Sequence, residues 1–279
     1  MKYPHLTRIL SAEFPKLKLD ENTRDLDKIG MVLINGKPVS IEEFLAMKNP
    51  KVNGCLDLNG SKELTSLPEG LEVAGSLWLN DTPITSLPEG LKVGGELDLR
   101  GTKITSLPEG LEVGRGLLLT GTKITSLPKN LKVGGDLYLN ETNITSLPEG
   151  LKVSGDLNLN GTNLTSLPEG LEVEGNLYLA GSSIISLPKD LKLKGNLSLF
   201  ATTNITSLPE NLKVGGKLNA MNSKITSLPK GLKVRRSLDL VGTNITSLPD
   251  DLKVGTEIYV DDPSKIQCSP RLRERLGKG

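Results

Sequence analysis

Across most of the chain the apolar residues follow one pattern. Leucines alternate with polar residues in short segments, such as DLYLN at 136–140. Further apolar residues (Ile144, Leu147, Leu151 and Val153 in the next stretch) follow at spacings of two to four. Period-two alternation predicts a half-buried strand. The wider spacing, with a proline and usually a glycine in each unit, excludes a helix of ordinary length. These positions can share one interior only if the chain makes one flattened circuit per unit and the circuits stack. A single circuit cannot bury its own inside.

The pattern returns every twenty residues. The Leu of a Leu-Pro pair stands at 67, 87, 107, 127, 147, 167, 187, 208, 228 and 248, with a single spacing of twenty-one between Leu187 and Leu208. ITSLPEGLKV occurs letter for letter at 84–93 and again at 144–153. Overlaid, the unit reads G-x-L-x-L-x-x-T-x-I-T-S-L-P-x-x-L-x-V-x. Stacked strands of such units form a parallel sheet advancing about 4.8 Å per repeat.

L-x-L-x-x-[N/T]-x-L followed by x-x-L-P resembles the leucine-rich repeat. The short period and the Leu-Pro are similar to the bacterial LPX-type repeats of the YopM and IpaH effectors, over residues 54–262. The resemblance implies a leucine-rich-repeat horseshoe with one parallel β-sheet on its concave face and small helical caps. It also implies a non-catalytic protein-binding module, effector-like and delivered into a host cell. The sequence departs from the family in two places. The turn after the strand carries Thr82, Thr102, Thr122, Thr142, Thr162 and Thr243, with Ser182 and Ser223 as variants, where the family has Asn. Buried hydroxyls there are expected to tie adjacent turns together. The family's first strand Leu is Gly, Ala, Ser or Glu here, and a Val such as Val93 precedes it. That leaves a parallel β-helix, with a second short strand at Leu-x-Val, as the alternative architecture.

Residues 1–53 lack the repeat and are expected to form an N-terminal cap. Asn35-Gly36 between two apolar runs predicts a hairpin, and Ser40 with Glu43 predicts a capping box opening a short helix. His5 and Phe14 fall in a segment with no assigned element. Residues 263–279 are expected to form a C-terminal cap helix, with Ser269 as N-cap, Pro270 at its first position and Gly277 as its stop. Its arginines raise a nucleic-acid or membrane reading, but one short basic helix is a weak electrostatic footprint, and a solvated cap is expected.

The chain has 279 residues and a formal charge of +1, which argues against a nucleic-acid-binding protein. Cys55 and Cys268 lie far apart and read as free thiols of a reducing compartment. No apolar run suits a signal peptide or a membrane span, so a cytoplasmic protein is expected. The single histidine, His5, lies outside the repeats, which removes His-dependent nucleophiles and His-based metal sites from them. No cofactor or metal is expected. Paired carboxylates (Glu96, Asp98, Asp136, Asp156) remain as a catalytic or Ca²⁺-binding option, with a solvated acidic stripe as the plainer reading.

The variable letters of the repeat are the outward strand positions. All five aromatics of the repeats (Trp78, Tyr138, Tyr178, Phe200 and Tyr259) stand there. The position after the second leucine passes from polar, as at Arg100, to apolar at Ala180, Phe200, Met221 and Val241. Aromatic anchors in an exposed apolar patch mark partner sites. The candidate site is therefore Tyr178, Phe200, Met221 and Val241, with Tyr138, Trp78, Asp98, Arg100, Asp136 and Asp156 along the same face. A protein is the expected partner, and a glycan stacked on Trp78 and the tyrosines is the alternative.

Overall fold

The computed structural model describes residues 31–279, so the first thirty residues of the expected cap, with His5 and Phe14, lie outside the described residues. The described chain is a parallel-strand solenoid. Each turn contributes two short strands, of two residues in all but the last turn, separated by a bend. Lys92–Val93 and Leu97–Asp98, on either side of Gly94 and Gly95, are one example. The Leu strands stack into a 12-stranded parallel sheet and the Val strands into an 11-stranded one. Register follows the repeat: Leu117 pairs with Leu137 and Leu118 with Tyr138 in the first sheet, and Val113 pairs with Val133 in the second.

The expected solenoid of stacked parallel strands is present, but the single sheet expected of it is corrected. A continuous second ladder runs through Val93, Val113, Val133 and Val153, the feature expected of the β-helix alternative. The third side, ITSLP, carries only isolated bridges such as Ser166 to Ser186, because proline cannot donate to a ladder. The second ladder begins at Lys51, three residues before the expected start of the repeats. Two residues per strand are too few for alternation to be distinguished from a turn in the sequence.

Between the sheets and the ITSLP side lies a column-built core. Leu97, Leu99, Ile104 and Leu117 are wholly buried, and the same columns are filled in nearly every turn. Each such side chain contributes roughly 1.5–3 kcal/mol relative to exposure.

Both ends of the stack are covered. Strand β1 (Met31–Ile34) pairs antiparallel with β2 (Lys37–Ser40) across Asn35-Gly36, both at positive φ. Helix α1 (Ile41–Ala46) follows, with Ser40 and Glu43 forming the reciprocal capping box and Phe44 fully buried. The Asn35 side chain donates to the Lys51 carbonyl at 2.9 Å and accepts from the Asn53 N–H at 2.7 Å, fixing the hairpin to the first turn. At the other end, helix α2 (Pro270–Arg273) is shorter than expected. Ser269 makes no side-chain cap bond. Gly277, expected to stop the helix, lies in a strand (Leu276–Lys278) that extends the first sheet. The basic residues act structurally. Arg271 donates to the carbonyls of Asp250 and Leu252, and Arg275 to those of Val254, Gly255 and Thr256. They occupy carbonyls of the last turn, which no further turn covers.

Candidate functional site

The candidate residues stand on the outward face of the first sheet, where register places them in columns. Trp78 pairs laterally with Asp57 and Asp98, Tyr138 with Leu118 and Asn158, and Tyr178 with Asn158 and Ser198. In the next column the backbone links Gly181 to Phe200, Ala201 to Met221 and Asn222 to Val241 in successive turns, so these three side chains are neighbours. Phe200 is 40% exposed; Tyr178, Met221 and Val241 are half-buried around it. Ala201 beside it adopts φ 54°, a left-handed conformation that glycine supplies in most other turns. The extra residue of this repeat falls directly after it, between Thr202 and Ile205.

The charged candidates are organised differently from a free acidic stripe. Asp98 is only 3% exposed. Its carboxylate accepts from Arg100 Nε at 2.9 Å and Nη2 at 2.6 Å, and also from the Arg100 backbone N–H at 3.1 Å. This bidentate pair holds the Arg100 guanidinium above its usual pKa. Asp57, Asn158 and Asn219 likewise accept the N–H two residues on, so Asx residues in this column close the end of the strand.

One position before the strand, a second set of polar side chains ties turn to turn. Asp136 Oδ1 accepts the Asp156 N–H at 2.7 Å, and Asp156 Oδ1 accepts that of Asn176 at 2.7 Å. Asn176 accepts from Asn196 and Asn196 from Lys217. Nearer the N-terminus Ser76 Oγ and Cys55 Sγ do the same for Glu96 and Ser76. Sequence reasoning missed this ladder. Its only signal was a recurrence of Asp, Asn and Ser at one position, which reads equally well as solvated polarity. The carboxylates of Asp136 and Asp156, with burial, also bear on the tyrosines: Tyr138 and Tyr178 are both raised above the usual phenol range, first by burial and then by these charges.

The Thr column does not tie turns together as expected. Thr82, Thr102, Thr122, Thr142 and Thr162 each donate a hydroxyl to the carbonyl three residues back in their own turn, at 2.6–2.8 Å. Thr202 belongs to the same column, while the Ser223 hydroxyl is buried without a partner.

The structure therefore separates two groups. The Asp98–Arg100 pair and the Phe200 cluster lie five turns apart, about 24 Å at sheet spacing. Among the described residues no cluster of three or more His, Cys, Asp or Glu could hold a metal. No described helix is long and apolar enough to cross a membrane.

Among solved structures, the chain is similar to YopM from Yersinia enterocolitica WA-314, with TM-score 0.46 and 24% identity over 81% of this chain and 55% of that one. It resembles leucine-rich-repeat proteins. It spans about half the length of that YopM. A second similar structure is YopM from Yersinia pestis, described as a leucine-rich effector protein, with TM-score 0.43 and 17% identity over 77% of this chain and 69% of that one. A third is an LRR protein of Leptospira interrogans, with TM-score 0.38 and 21% identity over 76% and 79%. No family model and no curated protein matches the chain.

Proposed function

We propose that the chain is a non-catalytic protein-binding module that uses the outward face of its first sheet, with Phe200 as principal anchor. The observation that carries this is the exposure of Phe200 among half-buried Tyr178, Met221 and Val241, on a face where several of the polar residues satisfy one another. Water-excluding aromatic anchors with a polar surround concentrate binding energy. The carboxylates of Asp98, Asp136 and Asp156 hold the strand face together, and that occupation favours binding over acid–base catalysis. The resemblance of the repeats to LPX-type sequences extends the reading to an effector-like protein acting inside a host cell.

The test is affinity capture from host-cell lysate with the wild-type chain, Phe200→Ala and Ile185→Ala. Among the described residues Ile185 is the other large exposed apolar residue, on the ITSLP side, at 57%. A partner retained by wild type and Ile185→Ala but lost with Phe200→Ala supports the reading. Equal retention by Phe200→Ala contradicts it.

A further inference from the structure

The turn-to-turn ladder is interrupted where its side chain is missing, at Gly116. No backbone requirement explains the glycine. Its φ is not in the left-handed region, and a Cβ built there meets nothing closer than Leu118 Cδ1 at 3.5 Å, Glu96 Oε2 at 3.6 Å and the Asp136 carbonyl oxygen at 3.7 Å. At Gly135 and Gly155, one position earlier in their turns, a Cβ would strike backbone of the previous turn at 2.9 and 2.8 Å. In this turn that neighbouring position is Arg115 and the glycine stands at the ladder position; Arg236 and Thr256 replace the neighbouring glycine in later turns, but there the ladder position keeps a side chain.

The exchange has two consequences. The Asp136 N–H, which a ladder side chain at 116 would accept, donates to no protein acceptor among the described residues; the Gly116 N–H has none either, although Glu96 occupies the ladder position one turn before it. A depression of about 580 Å³ opens over them, lined by Leu118 and Tyr138, by the cations Arg100 and Arg115 and by the carboxylates Glu96 and Asp136. Arg100 is held in place by Asp98 through Nε and Nη2, which leaves its Nη1 donors free. Arg115 makes no ion pair among the described residues.

We propose that this depression receives one carboxylate side chain of a protein partner, whose oxygens take the place of the ladder acceptor missing at Gly116. The proposal rests on the protein-binding reading above and adds to it the chemistry of one contact. Asp136 and Asp156 show what fits such a slot: a carboxylate oxygen accepting a strand-edge N–H at 2.7 Å. They also show that carboxylates in successive turns coexist on this face when each has an N–H to accept; the charges of Glu96 and Asp136 oppose a third, and the facing Arg100 and Arg115 offset them. Arg115 selects a carboxylate over an amide, since a charged acceptor makes the stronger bond to a guanidinium.

The test uses the full chain and blocked aspartate (acetyl-aspartate-methylamide), followed by amide NMR, with blocked asparagine and blocked lysine as controls. Saturable shifts at the Gly116 and Asp136 amides are expected with blocked aspartate. They should weaken at least tenfold in Arg115→Ala and vanish in Gly116→Asn, which supplies its own oxygen. Independently of any ligand, Gly116→Asn should slow hydrogen exchange of the Asp136 amide at least tenfold. The proposal is overturned if blocked aspartate shifts neither amide, if Gly116→Asn binds it as well as wild type, or if blocked lysine binds equally. Such a failure, with Phe200→Ala still losing the captured partner, removes this contact and leaves the protein-binding reading standing.

Discussion

Asp136 and Asp156 sit one turn apart, and the first accepts the backbone N–H of the second at 2.7 Å. The bond needs an oxygen at this place, not a charge, because Asn176 and Asn196 accept in the same way further along. Asp136→Asn should therefore leave the unfolding midpoint nearly unchanged. Asp136→Ala should lower stability by about 1 kcal/mol, the value of a typical hydrogen bond. Urea denaturation of both variants measures the difference, and equal midpoints would remove the ladder from the account.

Asp98 and Arg100 give an asymmetric expectation. Removing Arg100 strands a buried carboxylate, whereas removing the charge of Asp98 releases a guanidinium that reaches water. Arg100→Ala should cost about 1–3 kcal/mol and Asp98→Asn less, since one is a buried group left unpaired and the other is not. Thermal unfolding of the two variants checks the order, and the reverse order would place the carboxylate in solvent.

Much of this architecture was legible in the period alone. A twenty-residue repeat, read with its one-residue insertions, fixes which residue lies beside which, so the pairings of Trp78, Tyr138 and Tyr178 follow from aligning the units. What each polar side chain bonds to is a different question. Asp98 and Asp136 are the same residue type two positions from each other in the repeat unit. One folds back on its own turn and the other reaches the next, and only the bend at the glycines decides which N–H each can meet. The second sheet was obscured for a related reason: Lys-Val is too short a word to distinguish a strand from a turn. Arg115-Gly116 was visible as a departure from Gly-x, but its meaning depended on a ladder that only the stacked turns create.

The Thr column carries a prediction that follows from its local bonds. Thr142→Val removes a hydroxyl bond to the Leu139 carbonyl, which keeps the Thr142 N–H at 3.3 Å. The expected loss is about 0.5–1.5 kcal/mol. Because each hydroxyl serves its own turn, Thr142→Val and Thr162→Val should be additive within about 0.5 kcal/mol. A coupling well above that would mean the column does link turns.

On the second sheet, Glu172 lies between Lys192 and Lys152. The hydrogen bond from Lys192 holds its carboxyl below the ordinary 4.5, despite an opposing contribution from desolvation. A depressed carboxyl stabilises the fold above its unfolded pKa, and that contribution fades as pH falls through the lower folded value. Carboxyl NMR titration should therefore place Glu172 below an unperturbed glutamate, and Lys192→Ala should move it back up. The pair is exposed, so salt at about 0.5 M should largely erase the shift.

The most direct test of the account compares the affinity of the captured partner for wild type, Phe200→Ala and Trp78→Ala. The anchor at Phe200 predicts a loss of about 2 kcal/mol, roughly thirtyfold in Kd, for Phe200→Ala and little change for Trp78→Ala. Normal binding by Phe200→Ala with binding abolished in Trp78→Ala would contradict it and place recognition at the opposite end of the sheet.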